Sequence, residues 1–146
     1  MPNIIREFRG EYSWMSNFAP YGFNDGKRTW PTVEHYYQAC KADRYEDFNK
    51  IINAGTPSVA KKLGSQIHLR PDWDLVKYKA MLYGVTMKIQ QNSELIGKLI
   101  ATGDSEIIEG NYWHDNYWGR CYCPKCANKE GSNYLGKILM FLRDIR

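Results

Sequence analysis

TVEHYYQACKA, residues 32–42, is the stretch from which the rest of the chain can be read. Thr32 follows Pro31 and is a natural helix cap, because its hydroxyl can accept the first free backbone N–H groups. Val33, Tyr36, Tyr37 and Cys40 then recur at helical spacing and predict a buried stripe. At about 100° per residue, Glu34, Gln38 and Lys41 share a second face beside that stripe. A face bordering the core is partly desolvated, which raises a carboxyl pKa and lowers an amine pKa. Both shifts suit proton transfer near neutrality. The alternative is a solvated face carrying a weak intrahelical pair. His35 lies off this face, and its spacing predicts a packing or hydrogen-bonding role.

Further helices follow from the same rules. DRYEDFNKIINA predicts a helix stopping at Gly55, and Thr56-Pro57 restarts the chain as cap and first-turn proline for SVAKKLG. Arg70-Pro71 breaks the pattern before PDWDLVKYKAMLYGVTMKIQQN, where Val76, Met81 or Leu82, Val85 and Ile89 suit a core face. Ser93 can open SELIGKLIAT, and Ser132 can cap SNYLGKILMFLRDIR. Strands are expected to be short: IIREF at residues 4–8 and Glu106–Glu109, while GEYSWMSNFAPYGFNDGKR reads as a long structured loop or a hairpin with a turn at NDGK. The expected class is α+β, a single helix-dominated domain over residues 1–146 with a few short strands.

Hydrophobic residues make up 43% and charged residues 25% of the 146, the balance of a globular chain with a core of its own. A net charge of +4 permits a phosphorylated or nucleic-acid ligand without demanding one. No apolar run matches a membrane span and the N-terminus lacks the apolar core of a secretion signal, so a cytoplasmic protein is expected.

Two loops carry candidate ligand contacts. SWMSNF sets Ser16 and Asn17 beside Trp14 and Phe18, a pattern suited to a flat, hydrogen-bonding ligand or to a self-pinned turn. HDNYWG sets Asp115 three residues before Trp118, with Gly119 allowing close backbone approach. Arg9, beside Gly10, and Arg70 are candidates for a phosphate, against the alternative of solvated surface arginines. RCYCPKC places Cys121, Cys123 and Cys126 within six residues. Its C-P-K-C half has zinc-knuckle spacing, and a fourth ligand would have to come from His114, Cys40 or elsewhere. Three reduced thiols in a loop is the other reading.

The segments FRGEYSWMSNFAP, TVEHYYQACKA, RPDWD, TGDSEIIE, DNYWG and SNYLGKILMFLR occur in this order. Together they resemble the NADAR family, whose YbiA-like members are N-glycosidases. The likeness runs from about Phe8 to Arg143. It departs from the usual pattern at Met15, where leucine is commoner, and in the cysteine cluster. The resemblance implies a YbiA-like fold and hydrolysis of a bond between ribose C1 and an exocyclic amino nitrogen. The substrate would be either ADP-ribosylguanine in DNA or RNA, or a phosphoribosylamino-pyrimidine intermediate of riboflavin synthesis. It implies functional roles for Glu34, Trp73, Asp115 and Trp118, with Lys41 a further candidate in the same block, and requires no cofactor.

A ribosylamine can open its ring to an imine, and a desolvated lysine can then exchange into that imine. On this reading Lys41 attacks C1 and Glu34 shuttles protons. Asp115 holds ribose hydroxyls or assists as a second carboxylate, and Trp73 and Trp118 stack on the base or exclude water. The alternative route has Glu34 or Asp115 activate water against an oxocarbenium-like C1. A module that binds ADP-ribose or a nucleotide without turnover is the competing function, and it would not need Glu34.

Overall fold

The computed structural model describes residues 3–146. They gather into two compact units, one of Asn17–Asn92 and one formed by the chain up to Ser16 together with Ser93–Arg146.

In the unit Asn17–Asn92, β1 being reserved for the other, strands β2 (Phe23–Asn24) and β3 (Thr29–Trp30) form an antiparallel hairpin, Phe23 opposite Trp30. Its turn is the predicted one. Asp25 Oδ1 accepts from the N–H groups of Lys27 and Arg28 at 2.9 and 2.8 Å, and Gly26 takes the required positive φ of 94°. Helix α1 (Val33–Cys40) begins at Thr32, whose hydroxyl accepts from His35 N–H at 3.1 Å. Around it lie α2 (Tyr45–Ile52), α3 (Pro57–Gly64) and α4 (Trp73–Gln91). Thr56 caps α3 as expected, accepting from Val59 N–H at 3.1 Å. The core face of α4 is Met81, Val85 and Ile89, with Val76 and Leu82 only half-buried. Gly84 lets α4 pass close to α1, because a methyl group there would sit 3.2 Å from both Tyr36 and Val33.

The stripe predicted for α1 needs correction. Tyr36 and Cys40 are half-buried, whereas Glu34, His35 and Gln38 are buried along with Val33, Tyr37 and Ala39. A two-turn helix packed against three others has almost no wet face. His35 adapts by using both ring nitrogens. Nδ1 meets the Thr32 hydroxyl at 2.8 Å and Nε2 meets the Ala54 carbonyl at 2.9 Å. With both ring nitrogens hydrogen-bonded, it ties the start of α1 to the end of α2 as a packing residue.

In the other unit, β1 (Ile4–Ile5) pairs in parallel with β4 (Glu106–Ile107). Residues 10–15 form a 3-10 turn that begins at Gly10, with φ 58°. Helices α5 (Ser93–Ala101) and α6 (Tyr134–Asp144) enclose Leu95, Leu99, Leu135, Ile138 and Leu139. Arg143 Nη1 fixes the α5–β4 corner by donating to the Ser105 carbonyl at 2.7 Å and Thr102 Oγ1 at 3.1 Å. A second parallel pair joins β5 (Gly110–Asn111) to β6 (Arg120–Cys121), two strands not expected from the sequence. The expected Ser132 cap is absent. Asn133 precedes α6 in the left-handed region, φ 53°, and its side chain bonds Glu109 N–H at 2.9 Å and the Ile107 carbonyl at 2.8 Å. Among the described residues, no helix is long and apolar enough to cross a membrane.

Candidate active site

The first turn of α1 presents a carboxylate where little water reaches it. Glu34 is 7% exposed, and its Oε2 accepts from Gln38 Nε2 at 2.6 Å, one helical turn on. Burial pushes the Glu34 carboxyl above its ordinary 4.5, against the Gln38 hydrogen bond and the positive charges of Lys61 and Lys41. Lys41, two turns on, ends the helix. Burial pulls its amine below the ordinary 10.5, Glu34 opposes that shift, and Lys61 adds to it. The acid and the amine are therefore within each other's field, and burial draws both toward neutrality.

The surroundings are built by close packing. A methyl group at Gly64 on α3 would collide with the Gln38 side-chain amide, so any larger residue there requires Gln38 to move. Glu34 N–H donates to the Asn17 carbonyl at 3.1 Å, which ties the SNF segment to the start of α1. Asn17 Nδ2 reaches Met81 Sδ at 3.2 Å. Among the described residues, no donor reaches Asn17 Oδ1 or Gln38 Oε1, although both atoms are buried. Such orphaned acceptors are uncommon in folded proteins and mark where a donor from outside could bind. Phe18 is 37% exposed and the Lys61 ammonium sits 5.8 Å above its ring. Lys61 was not singled out from the sequence, where it belongs to an ordinary Lys-Lys pair on a short helix.

On the far side of Lys41 the wall is aromatic. Its ammonium lies 5.5 Å over the Tyr37 ring, and Tyr37 packs edge-to-face on Trp73 at 5.2 Å. Trp73 is 6% exposed, so it shapes the wall and offers little face for stacking. Arg70 N–H donates to the Lys41 carbonyl at 2.9 Å. Its guanidinium is engaged by Asp72 at 2.6 and 3.0 Å, which draws it away from the role of free phosphate ligand. Cys40 is no competing nucleophile, since burial pushes its thiol up to about 11. The fold thus brings together Asn17, Phe18, Glu34, Lys41, Arg70 and Trp73.

Arg9, Gly10, Ser16, Asp115, Trp118 and Gly119 belong to the other unit. Arg9 lines an open hollow with Arg6, Glu7, Tyr112 and Tyr122. Ser16 closes the 3-10 turn, its N–H donating to the Ser13 carbonyl at 3.1 Å. Asp115 Oδ1 accepts from the N–H groups of Tyr117 and Trp118 at 3.1 and 2.8 Å, the geometry of a turn-forming aspartate. Trp118 is buried, and Tyr117 packs edge-on to it at 4.7 Å. The space a side chain would need at Gly119 is filled by the carbonyl and carboxylate of Glu109, so the close approach expected there is to Glu109.

A buried, hydrogen-bonded acid with an amine of lowered pKa in its field has the chemistry that proton transfer near neutrality requires. Comparison with known proteins gives the chain a family. The model of the NADAR domain matches residues 5–145. The chain belongs to the NADAR family. An N-glycosidase of Nostoc punctiforme is 41% identical, covering 91% of this chain and 85% of its own. The N-glycosidase YbiA of Escherichia coli is 34% identical over 92% of this chain and 81% of its own. Its NMR structure matches with a TM-score of 0.84 at 33% identity, covering 99% of this chain and 86% of that one. The α+β, helix-dominated architecture expected from the sequence is the YbiA architecture. A riboflavin biosynthesis protein of Vibrio vulnificus is 33% identical over 91% of this chain, which spans 35% of that longer protein.

Proposed function

We propose that this enzyme is an N-glycosidase that hydrolyses the bond between ribose C1 and an exocyclic amino nitrogen, with Glu34 as acid–base and Lys41 as nucleophile. The reaction class rests on the kinship with named N-glycosidases. The roles rest on one observation, the buried Glu34–Gln38 pair with the Lys41 amine inside the Glu34 field.

The steps use only these groups and water. Protonated Glu34 donates to the ring oxygen as the C1–O bond breaks, and the nitrogen lone pair forms the C1=N iminium. Neutral Lys41 adds to C1. The C1–N bond to the base then breaks, and a proton returned through Glu34 leaves with the base amine. Water adds to the Lys41 imine and expels the lysine amine, so one water is consumed and a free reducing sugar is released. Phe18 and Lys61 are the contact points for a flat base, because this ring is exposed and carries a cation over its face. Asp115 acts as a positioning residue that holds the turn of Trp118.

Of the two substrate classes, we favour the phosphoribosylamino-pyrimidine, in line with the riboflavin-pathway name of the Vibrio relative. ADP-ribosylguanine in nucleic acid is the competing class. The test is to offer purified protein both substrates and to measure reducing sugar. Release from the pyrimidine, its loss in Glu34→Gln, and a borohydride-trapped sugar on Lys41 are the expected results. Turnover by Glu34→Gln at the wild-type rate would remove the acid–base role. An empty trap together with full activity in Lys41→Ala would leave the water-attack route in its place.

A further inference from the structure

The loop around Trp118 holds a second cluster of reactive groups that the glycosidase chemistry does not use. His114, Cys121, Cys123 and Cys126 each offer one ligand atom, and these four atoms lie within 4.8 Å of one another. His114 Nδ1 is 3.3 Å from Cys126 Sγ, 3.3 Å from Cys123 Sγ and 3.9 Å from Cys121 Sγ. Zinc–sulfur and zinc–nitrogen bonds of about 2.3 and 2.0 Å give tetrahedral edges of about 3.5–3.8 Å. The observed spacings bracket that length. Hydrogen bonding does not account for them, since one ring nitrogen cannot serve three thiols at once.

The backbone is shaped to deliver these groups. His114 has φ 70°, a left-handed conformation that a residue with a side chain adopts at a cost of about 1–2 kcal/mol. In that position its N–H also points at Cys121 Sγ, at 3.3 Å, and Cys123 N–H points at the same sulfur at 3.5 Å. Paired N–H donors on one sulfur are the outer support that a metal-bound thiolate needs. Cys123–Pro124–Lys125–Cys126 closes a 3-10 turn, with Cys126 N–H donating to the Cys123 carbonyl at 3.0 Å. Cys121 N–H is anchored by Asn116 Oδ1 at 3.0 Å. Cys121 and Cys126 are buried and Cys123 is half-buried, so the sulfur side of the cluster faces the protein.

We propose that His114, Cys121, Cys123 and Cys126 bind one zinc ion in a closed tetrahedral site, His114 through Nδ1. Three soft thiolates and an imidazole select zinc over the hard divalent cations. With four protein ligands no coordination position is left for substrate, so the ion is structural. Binding converts three thiols to thiolates and releases three protons. The ion staples β6 and the 3-10 turn to the residue preceding Asp115, and so stiffens the turn whose Trp118 N–H that carboxylate holds. Cys40, the other fourth ligand the sequence allowed, lies on α1 in the other unit and takes no part.

The test uses the full chain purified without chelator, loaded with excess zinc and desalted. Elemental analysis should find one zinc per chain. Cobalt in its place should give the intense visible bands of a tetrahedral ion and thiolate charge transfer. Cys121→Ser and Cys126→Ser should lose both signals, His114→Ala should weaken retention, and Cys40→Ser should keep full stoichiometry. Should the serine variants fail to fold, mercurial titration of wild-type thiols replaces them, and zinc should be released as three thiols react. A loaded wild-type chain that desalts metal-free overturns the site. So does metal kept by the folded serine variants, thiol titration without zinc release, or a mass two hydrogens light from a disulfide within the cluster. None of these outcomes touches the glycosidase reading, which is scored by sugar release.

Discussion

Helix α1 and the loop 111–126 handle polar groups in opposite ways. In α1 the backbone satisfies itself, and the only further hydrogen bond described at the Glu34 carboxylate comes from the Gln38 side chain. In the loop there is little regular structure, so side chains replace it. Asn111, 1% exposed, donates to the carbonyls of Asp115 and Glu109 and to the Glu109 carboxylate, and accepts from the N–H groups of Trp113 and Asp115. Asp115 carries two more backbone N–H groups. The Asp115 carboxylate is committed to holding the loop backbone, whereas the Glu34 carboxylate carries one side-chain amide. The contrast supports the proposed choice of Glu34 rather than Asp115 as the acid–base group.

That selection breaks first at Glu34. Glu34→Gln should cut kcat by about 10²–10⁴-fold while the chain stays folded. The wild-type pH–rate profile should have both limbs between the ordinary carboxyl and amine values of 4.5 and 10.5, because Glu34 is shifted up and Lys41 down. A rate loss matched by an equal loss of stability in urea would make Glu34 structural. In the loop the expectation reverses. Asn111→Ala should lower unfolding free energy by about 3 kcal/mol, since it strands several buried donors and acceptors at about 1–3 kcal/mol each. Urea denaturation measures this, and a change under about 0.5 kcal/mol would place Asn111 among ordinary surface residues.

Gly64→Ala sharpens the contrast within one residue. The added methyl group pushes Gln38 off Glu34, so stability should fall by about 1–3 kcal/mol, the usual cost of overpacking. Activity should fall in the same variant, and sugar release at the wild-type rate would show that Gln38 does not tune the acid. The smallest effect is expected at the helix start. Thr32→Ala should cost about 1 kcal/mol, the usual value of an N-cap, with little change in rate. Thermal melting together with the sugar assay tests both halves of that statement.

Local rules read the helices and the hairpin well. Thr32, Thr56-Pro57 and the Asn-Asp-Gly turn act through neighbours three residues away, and all three behave as expected. Periodicity found Met81, Val85 and Ile89 on α4, which has a wet side. It failed on α1, where α2, α3 and α4 cover the polar face that the pattern assigned to the border of the core. The residues that now matter around Glu34 were hidden for a related reason. Lys61 and Gly64 look like helix surface and helix end until α3 is laid beside α1. His114 and Cys40 are equal candidates as a fourth ligand by composition. The fold separates them, by setting the His114 ligand atom within 4.8 Å of the three sulfurs.

Asn133 has a consequence beyond starting α6. In a strand, the carbonyl of one residue and the N–H two residues on point to the same side, and Asn133 takes both from Ile107 and Glu109. Its amide therefore imitates the peptide group of an absent neighbouring strand. A ladder two residues long cannot guard its own border, and an open border recruits strands from other molecules. Asn133 closes this border together with α6, whose Gly136 passes so close to the Ile107 carbonyl that no incoming strand has room there.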